Sequence, residues 1–539
     1  MKGIKSFYTG LLLIAIIIFC SCLIGQKVRV EHFKNLRQQN EVFDTSFGNF
    51  LAAQHALYIN DFKAAQDLLS GVKEDVDVAR NERILAGFFS GYMPKEVDSL
   101  KDTKDLSLRF IYDVSLVQKG NWKDLYKRHE SDKSLLFAPL RIFSAVKQGK
   151  TKEAIKFIDS TDTSDSWKAF IKGQIAVINK DVNTAAKEFA EVLPEFMSVH
   201  DYLYLMSFYR ENEMFEDMEI LQNDFTSRPG GMYVLDYPEI PEWKYFDGIK
   251  NNLAFSMIQS VAHTQVIIFT DISLMLLRFA QSVAENPDMD SLNYYLGQYY
   301  FYNKGQYDKC FNDISKKNPL YLFGQMKIAG KNNDFKFIKK IAKKNPLFLP
   351  ATNMALNYHV KNGEKNAALT IINRALKQDN LNDKARAYFL KKRANVYLMF
   401  NKPKQAQKDL DKVVEIENAM ATDNLLLQAK IWNQKDENLQ EAYNYSMMVI
   451  HRNTSNVQAW DLLGCIVRKQ EGIDEALSIM NRVSEIATNV SSLYEHLGDL
   501  YMEKGWKDKA RESYEHAIDL SDDGLIVVPF VREKLRKVK

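Results

Sequence analysis

Lys336, Lys339, Lys340, Lys343 and Lys344 are interleaved with Phe337, Ile338 and Ile341 in the run from Phe335 to Lys344. Coiled as a helix this run is amphipathic and basic, which suits anionic lipid or an acidic partner. The same pattern serves an ordinary helix that buries its apolar stripe and solvates its lysines, and that reading asks for nothing further. Other chemistry is harder to place. The nine histidines are scattered, no HExxH occurs, and after Cys22 no two cysteines stand at metal-ligand spacing, so no metal or other cofactor is expected. There is no GxGxxG, P-loop or G-x-S-x-G nucleophile elbow, and Arg228-Pro-Gly-Gly-Met232 reads as a turn rather than a phosphate cradle. Acidic pairs such as Glu216-Asp217 and Asp522-Asp523 are what exposed helix faces and helix ends produce by default. The residues therefore point away from an enzyme and from a small-molecule substrate.

Any working side chain must be positioned by a repeat. Trp460, Leu463, Gly464, Ala476, Met480 and Val483 are answered by Tyr494, Leu497, Gly498, Ala510, Tyr514 and Ala517, each pair 34 residues apart. Tyr494, Leu497 and Tyr501 recur at three- and four-residue steps and share a stripe of one helix; Ala510, Tyr514 and Ala517 share a stripe of the next. Gly498 and Ala510 are small where the paired helices come closest, and Gly505 marks the turn between them. A lone hairpin leaves one apolar face bare, so copies must stack. Period and residue order resemble the tetratricopeptide repeat (TPR), W-x2-L-G-x2-Y followed by A-x3-F. The resemblance implies an all-α solenoid of stacked antiparallel helical hairpins, a TPR superhelix, whose concave groove binds proteins or peptides.

Composition agrees with a long helical array. At 539 residues and 62.3 kDa the chain exceeds a single core, and 12 prolines, 23 glycines and 46% hydrophobic residues argue against disorder. A formal charge of +3 gives no support to a nucleic-acid binder. Cys310 and Cys465 stand apart, so no structural disulfide is expected, and Cys465 on a repeat helix reads as a small packing residue.

In chain order, residues 1–26 carry Lys2 and Lys5 and then no charge from Ser6 to Gln26, the pattern of a signal peptide or membrane anchor. Cleavage, lipidation at Cys22 and retention as an anchor all remain open. Lys27, Arg29, Lys34 and Arg37 make the downstream flank the more positive, which by charge alone leaves the bulk on the cytoplasmic face. Signal-like N-termini more often export the chain behind them, and export is the reading favoured here. Degenerate repeats are expected over 27–227, beginning with a hairpin that turns at Asn60-Asp61. A loop or boundary between two superhelical segments is expected over 228–251, where Pro229, Pro238, Pro241 and Trp243 break the helical period. The TPR superhelix should then run over 252–524, clearest at 457–490 and 491–524, with a C-terminal cap over 525–539. This layout resembles a group of envelope-targeted tetratricopeptide proteins of alphaproteobacteria. That resemblance implies a place in the bacterial cell envelope, membrane-anchored or periplasmic, with the N-terminal segment as the membrane link.

The family's groove is lined by positions 2, 5, 9 and 12 of each first helix. Carried onto repeats starting at Ala387, Asp423, Val457 and Ser491, the resemblance implies a groove that includes Tyr388, Lys391, Asn395, Ile431, Asp461, Arg468, Glu495 and Asp499. Lys391 and Asn395 also match the first half of the family's carboxylate clamp, but Gln428, Gln458 and Leu462 stand where the second half needs an Asn and two cations, so a held carboxylate would lack its second charge. The expected function is a non-catalytic protein-interaction scaffold. Two alternatives come from other classes. A cell-wall enzyme with a helical superhelix needs a compact domain for which the hairpins leave no room. A membrane-surface protein would act through the basic helix at Lys336 to Lys344.

Overall fold

The computed structural model describes residues 46–72, 77–193, 197–227, 240–263, 270–303, 305–379, 381–487, 489–522 and 530–538. The expected signal or anchor at 1–26, with Cys22, lies outside them. So do 228–239 of the expected boundary loop and 525–529 of the expected C-terminal cap. Among the described residues every regular element is a helix and there is no strand. No described helix is long and apolar enough to cross a membrane.

A recurring turn builds the hairpins. The first helix ends on a residue in the left-handed region, and the next residue is an Asp or Asn whose side chain accepts from the backbone two or three positions into the second helix. Asn60 (φ 57°) precedes Asp61, Gly120 (φ 71°) precedes Asn121, Lys180 (φ 60°) precedes Asp181 and Asn333 (φ 55°) precedes Asp334. Each turn thus stops one helix and starts its partner in two residues.

The described residues divide into two compact units, one within 46–213 and 240–321, the other within 214–227 and 322–538. The first unit contains α1 (Ser46–Tyr58), α2 (Phe62–Ser70), α3 (Asp77–Phe89), α4 (Leu106–Gln118), α5 (Trp122–His129), α6 (Ala138–Lys147) and α7 (Thr151–Asp159). It continues with α8 (Asp165–Ile178), α9 (Val182–Ala190) and α10 (Val199–Glu211), and after α11 (Phe215–Ser227), which belongs to the second unit, with α12 (Gly248–His263), α13 (Asp271–Val283), α14 (Met289–Tyr302) and α15 (Tyr307–Asn312). Division at 228–251 was the expectation, yet α12 to α15 pack with the first unit. The physical reason is one continuous core running from Phe62 through Phe110 and Leu116 to Leu253, Leu276, Phe279 and Tyr299.

That core changes the character of the array. Helix α12 packs against α6, α8 and α10, and α13 against α3 and α4, so the first helices of successive hairpins are covered by this apolar pair. Their burial patterns record it: every residue from His200 to Tyr209 on α10 is buried, as is every residue from Phe110 to Val117 on α4. A helix apolar on one stripe only would not be buried all round. Several polar groups inside are paired: Asp201 accepts from Gln259 (2.7 Å) and faces His263 Nε2 (2.5 Å), and Tyr204 donates to Asn252 (2.6 Å).

The chain passes into the second unit within α16 (Pro319–Lys331). Hairpins then follow in order: α17 (Phe335–Lys344), α18 (Leu349–Lys361) with α19 (Lys365–Leu376), α20 (Asp383–Met399) with α21 (Pro403–Val414) and α22 (Thr422–Lys435) with α23 (Leu439–Arg452). The last are α24 (Val457–Gln470) with α25 (Ile473–Ile486), α26 (Ser491–Glu503) with α27 (Lys507–Asp522), and the short α28 (Val531–Lys537). Here each core cluster is local to one or two hairpins. A small residue opposite a large one sets the closest approach. A Cβ on Gly498 would lie 2.5 Å from the Tyr514 ring, and one on Gly464 would lie 2.6 Å from Met480. Gly297 meets Phe311 in the same way in the first unit, at 2.5 Å.

Candidate functional site

In the second unit α20, α22, α24 and α26 are the first helices of four successive hairpins, each packed against the next, which gives a face lined by first helices alone. Most of the side chains carried there by the repeat pattern have partners within the unit. Tyr388 is half-buried and its hydroxyl lies 3.3 Å from Asn353 Nδ2 on α18. Lys391 donates to Glu417 (2.9 Å), which follows α21, and also faces Asp423 (3.9 Å). Asn395 donates back to the Lys391 carbonyl (2.9 Å), so the half-clamp is closed on itself. Arg468 donates to Glu503 (3.1 Å), one repeat further on.

Ile431 corrects the expectation. It is fully buried among Leu390, Leu398 and Leu427, in the core between two hairpins, and contributes nothing to an open surface. An apolar β-branched side chain at a repeat junction gains by burial, while the charged positions around it stay at the edge.

The last two first helices hold a tighter cluster. Asp461 is buried, and accepts from Ser492 (2.9 Å) and from His496 Nδ1 (2.7 Å). Burial works against a charged imidazole, but Asp461 and Cys465 together hold His496 well above the usual histidine range. Lys430, half-buried beside the same two groups, is pushed down by its desolvation. Donor atoms of Asp461, Cys465 and His496 lie within 4.8 Å of one another, a set that could hold a zinc-like ion. A dication there must first displace a firmly held imidazole proton and face the Lys430 ammonium, so the internal charge balance is already met without a metal.

Glu495 and Asp499 carry the other notable contact. Lys534 on α28 places its Nζ 2.7 Å from each, and Asp499 also accepts from the Tyr514 hydroxyl (2.7 Å). Burial pushes Glu495 up despite His496 and Lys534 beside it. His496, Glu503 and Lys534 were missed by positional reasoning. The signal was present for all three: Asp461 to His496, Arg468 to Glu503 and Asp499 to Lys534 are each 35 residues apart, so the partner of a groove residue stands one repeat on. The basic helix α17 turns Ile338 and Ala342 into the core, sets the Phe335 ring against Tyr358 at a tilt (4.3 Å, 38°) and leaves Lys336, Lys340, Lys343 and Lys344 exposed.

Residues 491–523 match the tetratricopeptide repeat, which covers α26 and α27. No match is found among curated proteins. Among the solved structures that align with the chain are the following three. The crystal structure of MamA is 20% identical with a TM-score of 0.21, over 31% of this chain and 94% of that one. The crystal structure of the APC/C hetero-tetramer Cut9-Hcn1 is 13% identical with a TM-score of 0.29, over 90% and 95%. The structure of Naa15/Naa10 bound to HypK-THB is 10% identical with a TM-score of 0.27, over 95% and 94%. At these values the alignments carry nothing about partner or activity. The helical-hairpin architecture rests on the helices described above, and the repeat assignment on the match to the last hairpin.

Proposed function

We propose that this chain is a non-catalytic scaffold that binds proteins or peptides on the first-helix face of its second unit, and that it works in the bacterial envelope. The observation that carries the binding role is the contrast between units. In the first unit α12 and α13 cover the first helices, whereas the second unit carries a partly exposed strip of opposite charges, from Lys391 and Glu417 through Arg468 and Glu503 to Glu495 and Asp499. Such a strip gives register and partner choice at modest energetic gain per pair.

Site-specific photo-crosslinking tests the site. A benzophenone side chain at Tyr388 or Arg468 is expected to form protein adducts in cells, and one at Lys336 is not. Adducts confined to Lys336 would move the function to the basic helix and its membrane-surface alternative. The envelope location rests on the sequence of residues 1–26 and the resemblance given above. Alkaline phosphatase, active only after export, fused at Asn60 should be active; an expressed but inactive fusion would place the array on the cytoplasmic side.

A further inference from the structure

Helix α28 is seated on the second unit by contacts of three kinds. Its one inward lysine, Lys534, bridges Glu495 and Asp499 at 2.7 Å each, the two residues that the repeat pattern assigns to ligand contact on α26. Val531 and Val538 are buried against Ala510, Tyr514 and Ala517 of α27, with Leu535 partly buried beside them. The helix is entered through Phe530, a bulky residue held at φ 73°, ψ 0°, in the left-handed region that favours glycine. Its ring meets Phe400 edge-on at the end of α20 (5.8 Å, 86°) and lies against Gly363 in the turn between α18 and α19. A cavity of about 200 Å³ remains between the α18–α19 turn, at Lys361 to Gly363, and Phe530, Arg532 and Arg536. The segment therefore reaches from the last hairpin to hairpins near the start of the unit's array, with an open space beneath it.

Resting on the peptide-binding reading above, we propose that α28 is a displaceable internal occupant of this surface, and that the partner is a short basic helix of the same chemistry from another protein. Val531, Lys534, Leu535 and Val538 stand at i, i+3, i+4 and i+7, one apolar stripe with a lysine set in it. The surface selects that chemistry. Glu495 is buried and faces two cations, His496 and Lys534, and Asp499 also pairs with Lys534, so a replacement for α28 that brings a cation restores the balance that one without it would forfeit. An acidic or purely apolar helix would leave Glu495 with His496 as its remaining cationic neighbour and Asp499 with only the Tyr514 hydroxyl.

The test uses the full chain and a labelled synthetic peptide of residues 529–539. Wild-type chain should bind the peptide weakly, because the site is filled in cis. Lys534→Glu in the chain removes both ion pairs and should raise affinity for the wild-type peptide at least tenfold. Adding Glu495→Lys and Asp499→Lys should abolish that gain. A Lys534→Glu chain of wild-type helicity and melting that gains no peptide affinity would show α28 to be a fixed cap and overturn the proposal. Should that variant melt early, hydrogen exchange on the wild-type chain decides: amides of 534–538 must exchange well ahead of α27, and equal protection overturns the idea. Concentration-dependent dimers of the variant would mean that a second copy, not a foreign helix, takes the place, and this too counts against it. Crosslinks from Tyr388 or Arg468 that persist when the peptide test fails would leave the scaffold reading standing.

Discussion

At the scale of single residues, the closest helix contacts are the most sensitive. A side chain at Gly498 must move the Tyr514 ring, which is itself buried and bonded to Asp499. Gly498→Leu is expected to destabilise by about 1–3 kcal/mol through overpacking, read as a lower melting temperature. An unchanged melt would mean that the pair is not in contact. A second residue prediction concerns acid. Burial against Phe255 holds the His200 imidazole down to about 4, with Asp201 opposing, whereas in the unfolded chain it titrates near 6.5. Between those values the unfolded state binds a proton that the folded state refuses, so stability is fully present above pH 6.5 and falls as pH drops toward 4. His200→Phe keeps the stacking surface and removes the proton. From pH 6.5 to pH 5 the wild type should lose about 2 kcal/mol more than the variant in urea titrations. Parallel pH profiles would sink the assignment.

At the scale of elements, the α20–α21 hairpin is tied by a fork. Arg393 donates to both oxygens of buried Asp409 (2.8 and 2.6 Å) and to Asn373 (2.7 Å), and the pairing raises the guanidinium further above its ordinary value. Asp409→Asn leaves this cation half-buried without its anion, and should cost about 2–4 kcal/mol in urea unfolding. Replacing both partners by apolar residues should recover most of the loss, and failure to recover would mean that Asp409 acts through something other than Arg393. Elements of this kind were largely legible in the sequence. The turns at Asn60-Asp61 and Gly120-Asn121, and the small-large pairs of the last repeats, announce hairpins because local backbone needs and helix periodicity fix them. Helix α3 and the short turn of helix at Val97–Leu100 were not announced, since neither repeats a neighbour's spacing. The site was less legible. Positional analogy named Lys391, Arg468, Glu495 and Asp499, but which charges remain open depends on partners such as Glu417, 26 residues from Lys391 and so off the repeat period. Ile431 was misplaced for the same reason, because burial at a repeat junction is decided by the next hairpin.

At the scale of the molecule, the two units differ in how stability is shared. In the first, one core joins α2 through α6 to α12, α13 and α14, so a cavity anywhere in it is felt by distant segments. Leu276→Ala, at a fully buried position, should cost about 2–5 kcal/mol and speed amide exchange together across α3, α4, α6 and α12. In the second, clusters are local: Leu497 packs with Ala476, Met480, Leu493 and Leu500, all on α25 and α26. A stack coupled only through nearest neighbours loses protection near the lesion and keeps it elsewhere. Leu497→Ala should therefore speed exchange in α24 to α27 while α18 and α19 stay as protected as before, measured by hydrogen-exchange mass spectrometry on the full chain. Uniform acceleration from α18 to α27 would mean that the second unit folds as a single core. The contacts of Phe530 with Phe400 and Gly363 would then bind the array into one cooperative block, and release of α28 could not open the surface without loosening the hairpins that form it.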